Sequence, residues 1–167
     1  MILLVNDAGI LIDLLKVDLM EPFFKLRYEF HATDFVVAEI REENADQLYA
    51  FIQNGKIKKW TFDFEALTQI QHLETRHRVL SIPDCSCLYL AANISATLLT
   101  GDGALRRVAE YNNIPVHGLL WVFDELVNHK QITPKKAYQK LEELMGINPR
   151  LPSLECQKRL MKWKKGF

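Results

Sequence analysis

Hydrophobic positions along this chain change period repeatedly, and the changes mark out its elements. Residues 2–5 are an unbroken apolar run, the mark of a strand buried on both faces, whereas residues 9–16 and 19–26 space their apolar positions as helices do. A short strand is predicted at 31–33, followed by helical segments at 34–43 and 45–53, the second closed by Asn54-Gly55. Residues 57–62, rich in aromatic and β-branched types, read as a third strand. Helices at 64–77 and 85–94 lead to a fourth strand at 97–100, which runs into a helix at 104–111. A fifth strand at 114–116 and helices at 119–128 and 134–145 follow, and Pro149 with Pro152 marks a boundary before a basic tail.

Strands separated by helical segments imply crossover connections, so the predicted fold is a three-layer α/β/α arrangement around a mostly parallel central sheet. The expected organisation is one α/β domain over residues 1–148, including its C-terminal helices, and a basic tail over 149–167. A length of 167 residues suffices for one hydrophobic core. With 49% hydrophobic and 25% charged residues, the chain has the profile of a folded protein and not of a disordered one. Its 21 basic and 21 acidic residues balance, which removes any bulk attraction to nucleic acid or to a membrane surface and leaves that role to local patches. No run approaches the roughly 20 apolar residues of a membrane span, and MILLVND lacks a signal-peptide pattern, so no membrane partner and a cytoplasmic location are expected. Cys85, Cys87 and Cys156 form neither an even disulfide set nor a zinc spacing and read as small buried apolar residues.

Acidic residues recur where strands give way to helices. Asp102 directly follows the fourth predicted strand in LLTGDGALRR, and Asp7 follows the first in LLVNDAGIL. In open parallel sheets ligands bind outside the carboxyl ends of the strands, so both aspartates belong to the functional edge. Aspartate is also a preferred N-cap, and each of these two, like Asp84 in SIPDCSCLYLAAN, reads as a cap when taken alone. Glu39 is different: Val36, Glu39, Ile40 and Glu43 share one helical stripe, with Phe35 one turn before Glu39, which predicts a carboxylate among inward-facing apolar neighbours. Glu42 and Glu43 read as surface charges. If the four carboxylates converge, their repulsion raises their pKa values or calls for a counter-charge, and a divalent cation is the most effective one. Oxygen-only ligands select hard ions such as Mg²⁺ or Mn²⁺, which bridge protein carboxylates to phosphate oxygens in phosphodiester hydrolysis.

The order Asp7, Glu39, Asp84, Asp102, carried by NDAGILIDLL, FVVAEI, DCSCLYLAA and LLTGDGALRRVAEYNNIPV, resembles the PIN domain over roughly residues 1 to 128. It looks closest to the short VapC-like members that act as toxins of toxin–antitoxin pairs. The resemblance implies a metal-dependent ribonuclease in which Asp7, Asp84 and Asp102 are direct or water-mediated ligands of one or two Mg²⁺ or Mn²⁺ ions, and Glu39 is a ligand or positions the attacking water. It further implies that Thr100 orients Asp102 or a metal-bound water, and that Gly101 and Gly103 let the backbone turn tightly beside the ion. An RNA substrate, a protein antitoxin and a homodimer are the partners it implies. Ala8-Gly9 stands where many members carry a hydroxyl residue, so a side-chain bond from that position is absent here.

Other constellations rank lower. His31, His72, His77, His117 and His129 share no ligand spacing, and each reads as a surface or packed residue. The tail QKRLMKWKKGF would hold an RNA backbone or be a solvated helix or loose terminus, and one of Arg106 and Arg107 would reach a phosphate or an acid. A phosphotransferase of the haloacid dehalogenase type needs a second aspartate two residues after Asp7, where Gly9 stands, and a receiver domain needs an acidic pair that is missing. The remaining alternative is a PIN-like fold used without catalysis, as an RNA-binding or scaffold protein.

Overall fold

The computed structural model of the chain describes residues 1–41 and 45–166. Strand β1 (Leu3–Asn6) is followed by helices α1 (Ala8–Lys16) and α2 (Met20–Phe24), β2 (Glu29–Thr33), α3 (Asp34–Glu39) and α4 (Ala45–Gln53). Then come β3 (Ile57–Trp60), α5 (Phe64–Arg76), α6 (Ile82–Asn93), β4 (Thr97–Leu99), α7 (Gly103–Tyr111) and β5 (Val116–His117). Three helices close the chain: α8 (Leu119–Asn128), α9 (Pro134–Ile147) and α10 (Ser153–Lys164). Among the described residues, no helix is long and apolar enough to cross a membrane.

The five strands lie in the order β3-β2-β1-β4-β5, and every neighbouring pair is parallel. This is the α/β architecture that the alternating pattern predicts, with an entirely parallel sheet. β1 is central, with Leu4 registered against Phe30 on one side and Thr97 on the other. Leu4 and Val5 point to opposite faces and are both fully buried, which is why this strand is an unbroken apolar run. Leu11, Leu14 and Leu15 of α1 and Cys87, Leu88 and Ala91 of α6 join the same core, and all three cysteines are buried thiols.

Where elements differ from the periodicity, local bonding explains the difference. β2 begins two residues early because Glu29 N donates to Ile2 O at 3.1 Å. β5 is Val116–His117 instead of 114–116: Pro115 has no N–H for the ladder and contributes only its carbonyl, to Leu98 N at 2.8 Å. Helix α6 starts at Ile82, before the apolar spacing begins, because a reciprocal capping box sets its end. Asp84 N donates to Ser81 Oγ (3.2 Å) and Ser81 N to Asp84 Oδ2 (2.9 Å). Helix α3 stops at Glu39, where the buried Ile40 turns extended (φ −83°, ψ 102°), so the predicted helix over 34–43 is shorter. Glu42 and Glu43 lie outside the described residues. The basic segment after Pro152 is a helix solvated on one face and packed on the other, and not a loose terminus. α10 packs along α9 and buries Cys156, Leu160 and Trp163, one stripe at helical spacing, with the Trp163 ring stacked 6.0 Å from that of Phe123.

Candidate metal centre at the carboxyl edge of the sheet

The chain leaves β1 toward β2 on one side of the sheet, while β4 and β5 are added on the other. The carboxyl ends of β1 and β4 therefore flank the topological switch point, where a parallel sheet opens a crevice. Asp7 follows β1, and Thr100 and Asp102 follow β4. α6 runs back before β4, so its first turn, with Asp84, returns to the same edge; Ser86, just past that turn, bonds Thr33 at the end of β2 (Oγ–Oγ1 2.8 Å). Glu39 closes α3, which starts directly after β2. Asp7, Glu39, Asp84, Thr100 and Asp102 all line one cleft of about 840 Å³.

Asp7 is the anchor. Its backbone N donates to Leu99 O (3.0 Å), its Oδ1 accepts from Ala8 N (2.7 Å), and its Oδ2 accepts from the Thr100 hydroxyl (2.7 Å). Thr100 is fully buried, and its Oγ1 also accepts from Asp102 N (3.0 Å), so one hydroxyl joins two of the acids. It orients the Asp7 carboxylate and the backbone, not the carboxylate, of Asp102. Asp102 is exposed and caps α7, with Oδ1 accepting from Leu105 N at 2.8 Å.

Electrostatics couple three of the acids, Asp7, Glu39 and Asp84. Asp7 is 8% exposed, and burial, with the charges of Asp84 and Glu39 adding, pushes its pKa up to about 6 against the pull of the Thr100 bond. Partial burial and then Asp84 raise Glu39, and the fully buried Cys87 thiol is pushed up by burial and by the charges of Asp7, Asp84 and Glu39. Among the described residues, none of the four acids has a salt-bridge partner. The four donors are thus all oxygen and without a basic counter-charge, and Asp7, Glu39 and Asp84 repel one another, which fits a hard divalent cation. Asp84 and Asp102 each commit one oxygen to a helix cap, and among the described residues no three His, Cys, Asp or Glu side chains are drawn together closely enough to hold an ion.

A family model described as PIN domain matches residues 3–165. The chain belongs to the PIN-domain family. No curated protein matches it. Among solved structures, this PIN domain is similar to a chain of the crystal structure of VapBC2 from Rickettsia felis bound to a DNA fragment from their promoter. That match has 15% identity and a TM-score of 0.51, and covers 70% of this chain and 98% of that one. A chain of VapBC-1 from nontypeable Haemophilus influenzae matches at 12% identity and a TM-score of 0.49, covering 71% and 99%.

Two expectations about the PIN-domain site are corrected. Glu39 is exposed at the cleft rim and not turned inward: Val36, Val37 and Ile40 are buried, but the helix ends at Glu39 and the stripe ends with it. Gly101 and Gly103 do not occupy the left-handed region, and a Cβ on Gly101 would meet nothing within 4 Å. The tight turn is made by the Thr100 and Asp102 hydrogen bonds instead. Of the two arginines after Asp102, Arg106 lines the cleft, with Nη1 3.7 Å from Glu110, and Arg107 is exposed.

The far wall was not foreseen. Asn148, Arg150 and Arg159 come from the loop before α10 and from α10 itself, and are held by Asn148 Nδ2–Asp13 Oδ2 (2.8 Å) and Arg159 Nη2–Asp124 Oδ2 (2.7 Å). The 156, 160, 163 stripe was the available signal that this segment packs. His117 and Trp121 also line the cleft. The other four histidines lie elsewhere: His31 is buried in β2 and accepts from Trp60 Nε1 (2.9 Å), and His129 pairs with Glu125 (3.2 Å). His72 lines a separate cavity beside α5 and α6, and His77 caps α5.

Proposed function

We propose that this PIN-domain protein is a metal-dependent ribonuclease that hydrolyses phosphodiester bonds of RNA, the toxin of a toxin–antitoxin pair. The observation that carries the reading is Asp7: a carboxyl lifted to about 6, beside two further acids and without a basic partner, on the functional edge of a parallel sheet. Asp7, Glu39, Asp84 and Asp102 would hold Mg²⁺ or Mn²⁺, which supplies an activated water and neutralises charge on the phosphate. Thr100 keeps Asp7 in one rotamer with its hydroxyl proton, and Asp84 and Asp102 are anchored through their caps. Arg106 and Arg150, on the cleft wall, would receive phosphate oxygens and hold the strand against the acids.

The likeness to VapBC chains supports the placement in a toxin–antitoxin pair, with a protein antitoxin and a homodimer as expected partners and the cytoplasm as the compartment. The second reading, a non-catalytic RNA-binding or scaffold protein, draws on the two acids engaged as caps and on the absence, among the described residues, of a closed ligand cluster. Cleavage of single-stranded RNA in Mg²⁺ or Mn²⁺ and in chelator, with Asp102→Asn alongside, decides between them. Metal-dependent cleavage that the substitution abolishes supports the nuclease; cleavage that is absent, or unchanged by it, overturns the assigned site.

A further inference from the structure

The cleft contains two flat rings that the acids do not use. His117, the last residue of β5, and Trp121, in the first turn of α8, are stacked with centroids 4.4 Å apart and planes within 5° of parallel. Both are half-buried, and both line the same cleft as the carboxylates. His117 ends its strand at the sheet edge that carries Asp7, and its carbonyl accepts from Thr100 N at 3.0 Å, so its backbone is tied to the residue that fixes Asp7. The indole is backed by Tyr28 (centroids 5.7 Å apart), whose hydroxyl donates to Glu125 on α8. The pair is therefore held on both the strand and the helix side.

A cation lies beside it. A Cβ on Gly118, the residue after His117, would stand 3.2 Å from Arg106 Nη2, so the missing side chain leaves room for the guanidinium against the backbone there. Trp121 packs on the core and on Tyr28 with part of its surface, yet both rings stay partly exposed in a polar cleft, next to a guanidinium and a set of acids, so part of the aromatic surface is open to a ligand. Unpaired bases stack on such rings whatever their sequence, and a guanidinium takes the adjoining phosphate.

We propose that the His117–Trp121 pair is a nucleobase-stacking subsite that receives one unpaired base of a single-stranded RNA next to the bond positioned at the acids, with Arg106 on its phosphate. This rests on the ribonuclease reading above. Single-stranded RNA is the substrate class because a base in a duplex already has both faces covered by its neighbours.

The test uses the full chain and an end-labelled 30-nucleotide single-stranded RNA cut in Mn²⁺. Once the cut bond is mapped, each nucleotide flanking it is replaced in turn by an abasic ribose. The wild type should lose about 5- to 100-fold in kcat/KM, mostly through KM, at one of these positions and little at the others. His117→Ala should show a loss of that size on intact RNA and no further loss on the abasic substrate. Equal cleavage of the whole abasic series, or discrimination retained in His117→Ala and in Trp121→Ala, overturns the proposal. If no RNA is cut, the nuclease reading fails on its own, and the subsite is read by tryptophan fluorescence with hexa-adenylate in chelator. Quenching in the wild type that is lost in Trp121→Phe then supports the platform; no quenching, or quenching unchanged in that variant, overturns it.

Discussion

Replacing Asp7 by asparagine should make the metal-free protein more stable. The folded state holds the Asp7 carboxyl at about 6 against an ordinary 3.8, chiefly through burial, with Asp84 and Glu39 adding. Because the folded pKa is raised, the contribution of this group to stability is complete below pH 3.8 and is lost as the pH climbs through 6. At pH 7.5 the ionised carboxylate therefore costs the fold about 3 kcal/mol. Asparagine removes that cost while keeping an oxygen for Ala8 N, but it leaves the Thr100 hydroxyl proton without its charged acceptor, which returns about 1 kcal/mol. The net gain of about 2 kcal/mol corresponds to a rise of about 4–8 °C in Tm for a chain of this size. Urea unfolding in chelator at pH 7.5 and pH 4 measures it: the variant should lead at pH 7.5 and lose its advantage at pH 4. Adding Mn²⁺ at pH 7.5 should stabilise the wild type and not the variant. A variant less stable than wild type at pH 7.5, or equally favoured at both pH values, would refute the argument that burial and neighbouring charges make the ionised Asp7 costly, and leave Asp7 as a helix cap.

Thr100→Val removes a hydroxyl that donates to Asp7 and accepts from Asp102 N, both at a fully buried position; it should cost about 1–3 kcal/mol in urea unfolding. Since that hydroxyl bond lowers the Asp7 pKa, the same variant should move the acidic limb of any pH–rate profile toward higher pH. Asp84→Asn keeps an acceptor for Ser81 N and should unfold within about 0.5 kcal/mol of wild type, while Asp84→Ala loses the capping box and about 1 kcal/mol; both should lower metal-dependent cleavage at least about 100-fold. Trp163→Ala, in the basic C-terminal segment, should cost about 3–5 kcal/mol, a value that separates a packed helix from a loose tail.

Much of this architecture is visible in the pattern of apolar residues, because a parallel sheet covered on both faces needs continuous runs such as Leu3-Leu4-Val5 and crossover helices with one apolar stripe. Element ends were less visible, since they depend on single hydrogen bonds: the Ser81–Asp84 box extends α6, the extended backbone of Ile40 cuts α3, and Pro115 shortens β5. Asp7, Asp84 and Asp102 stood out by their place after strands or at a helix start. The far wall did not, because Asn148, Arg150 and Arg159 are distant in sequence and reach the cleft only through the packing of α9 against α10. His117 and Trp121 were hidden for a related reason: an aromatic in the first turn of an apolar helix looks like core until the cleft beside it is known.

Whether an aspartate at a strand-to-helix junction is a cap or a site is a choice that this edge does not require. A helix N-terminus offers unbonded N–H groups and the positive end of a dipole, so it holds a carboxylate without a basic partner. Asp7, Asp84 and Asp102 each give one oxygen to such a backbone N–H, at 2.7, 2.9 and 2.8 Å. The cap fixes the carboxylate without neutralising it, and in Asp84 and Asp102 the second oxygen accepts no hydrogen bond from the described residues. Glu39 has the opposite placement, at the C-terminal end of α3, where the dipole disfavours an anion, and no hydrogen bond from the described residues tethers it. Under the proposed metal-dependent reading, metal affinity should depend on the three capped acids, and the exchange of substrate and product on Glu39, which no described residue tethers.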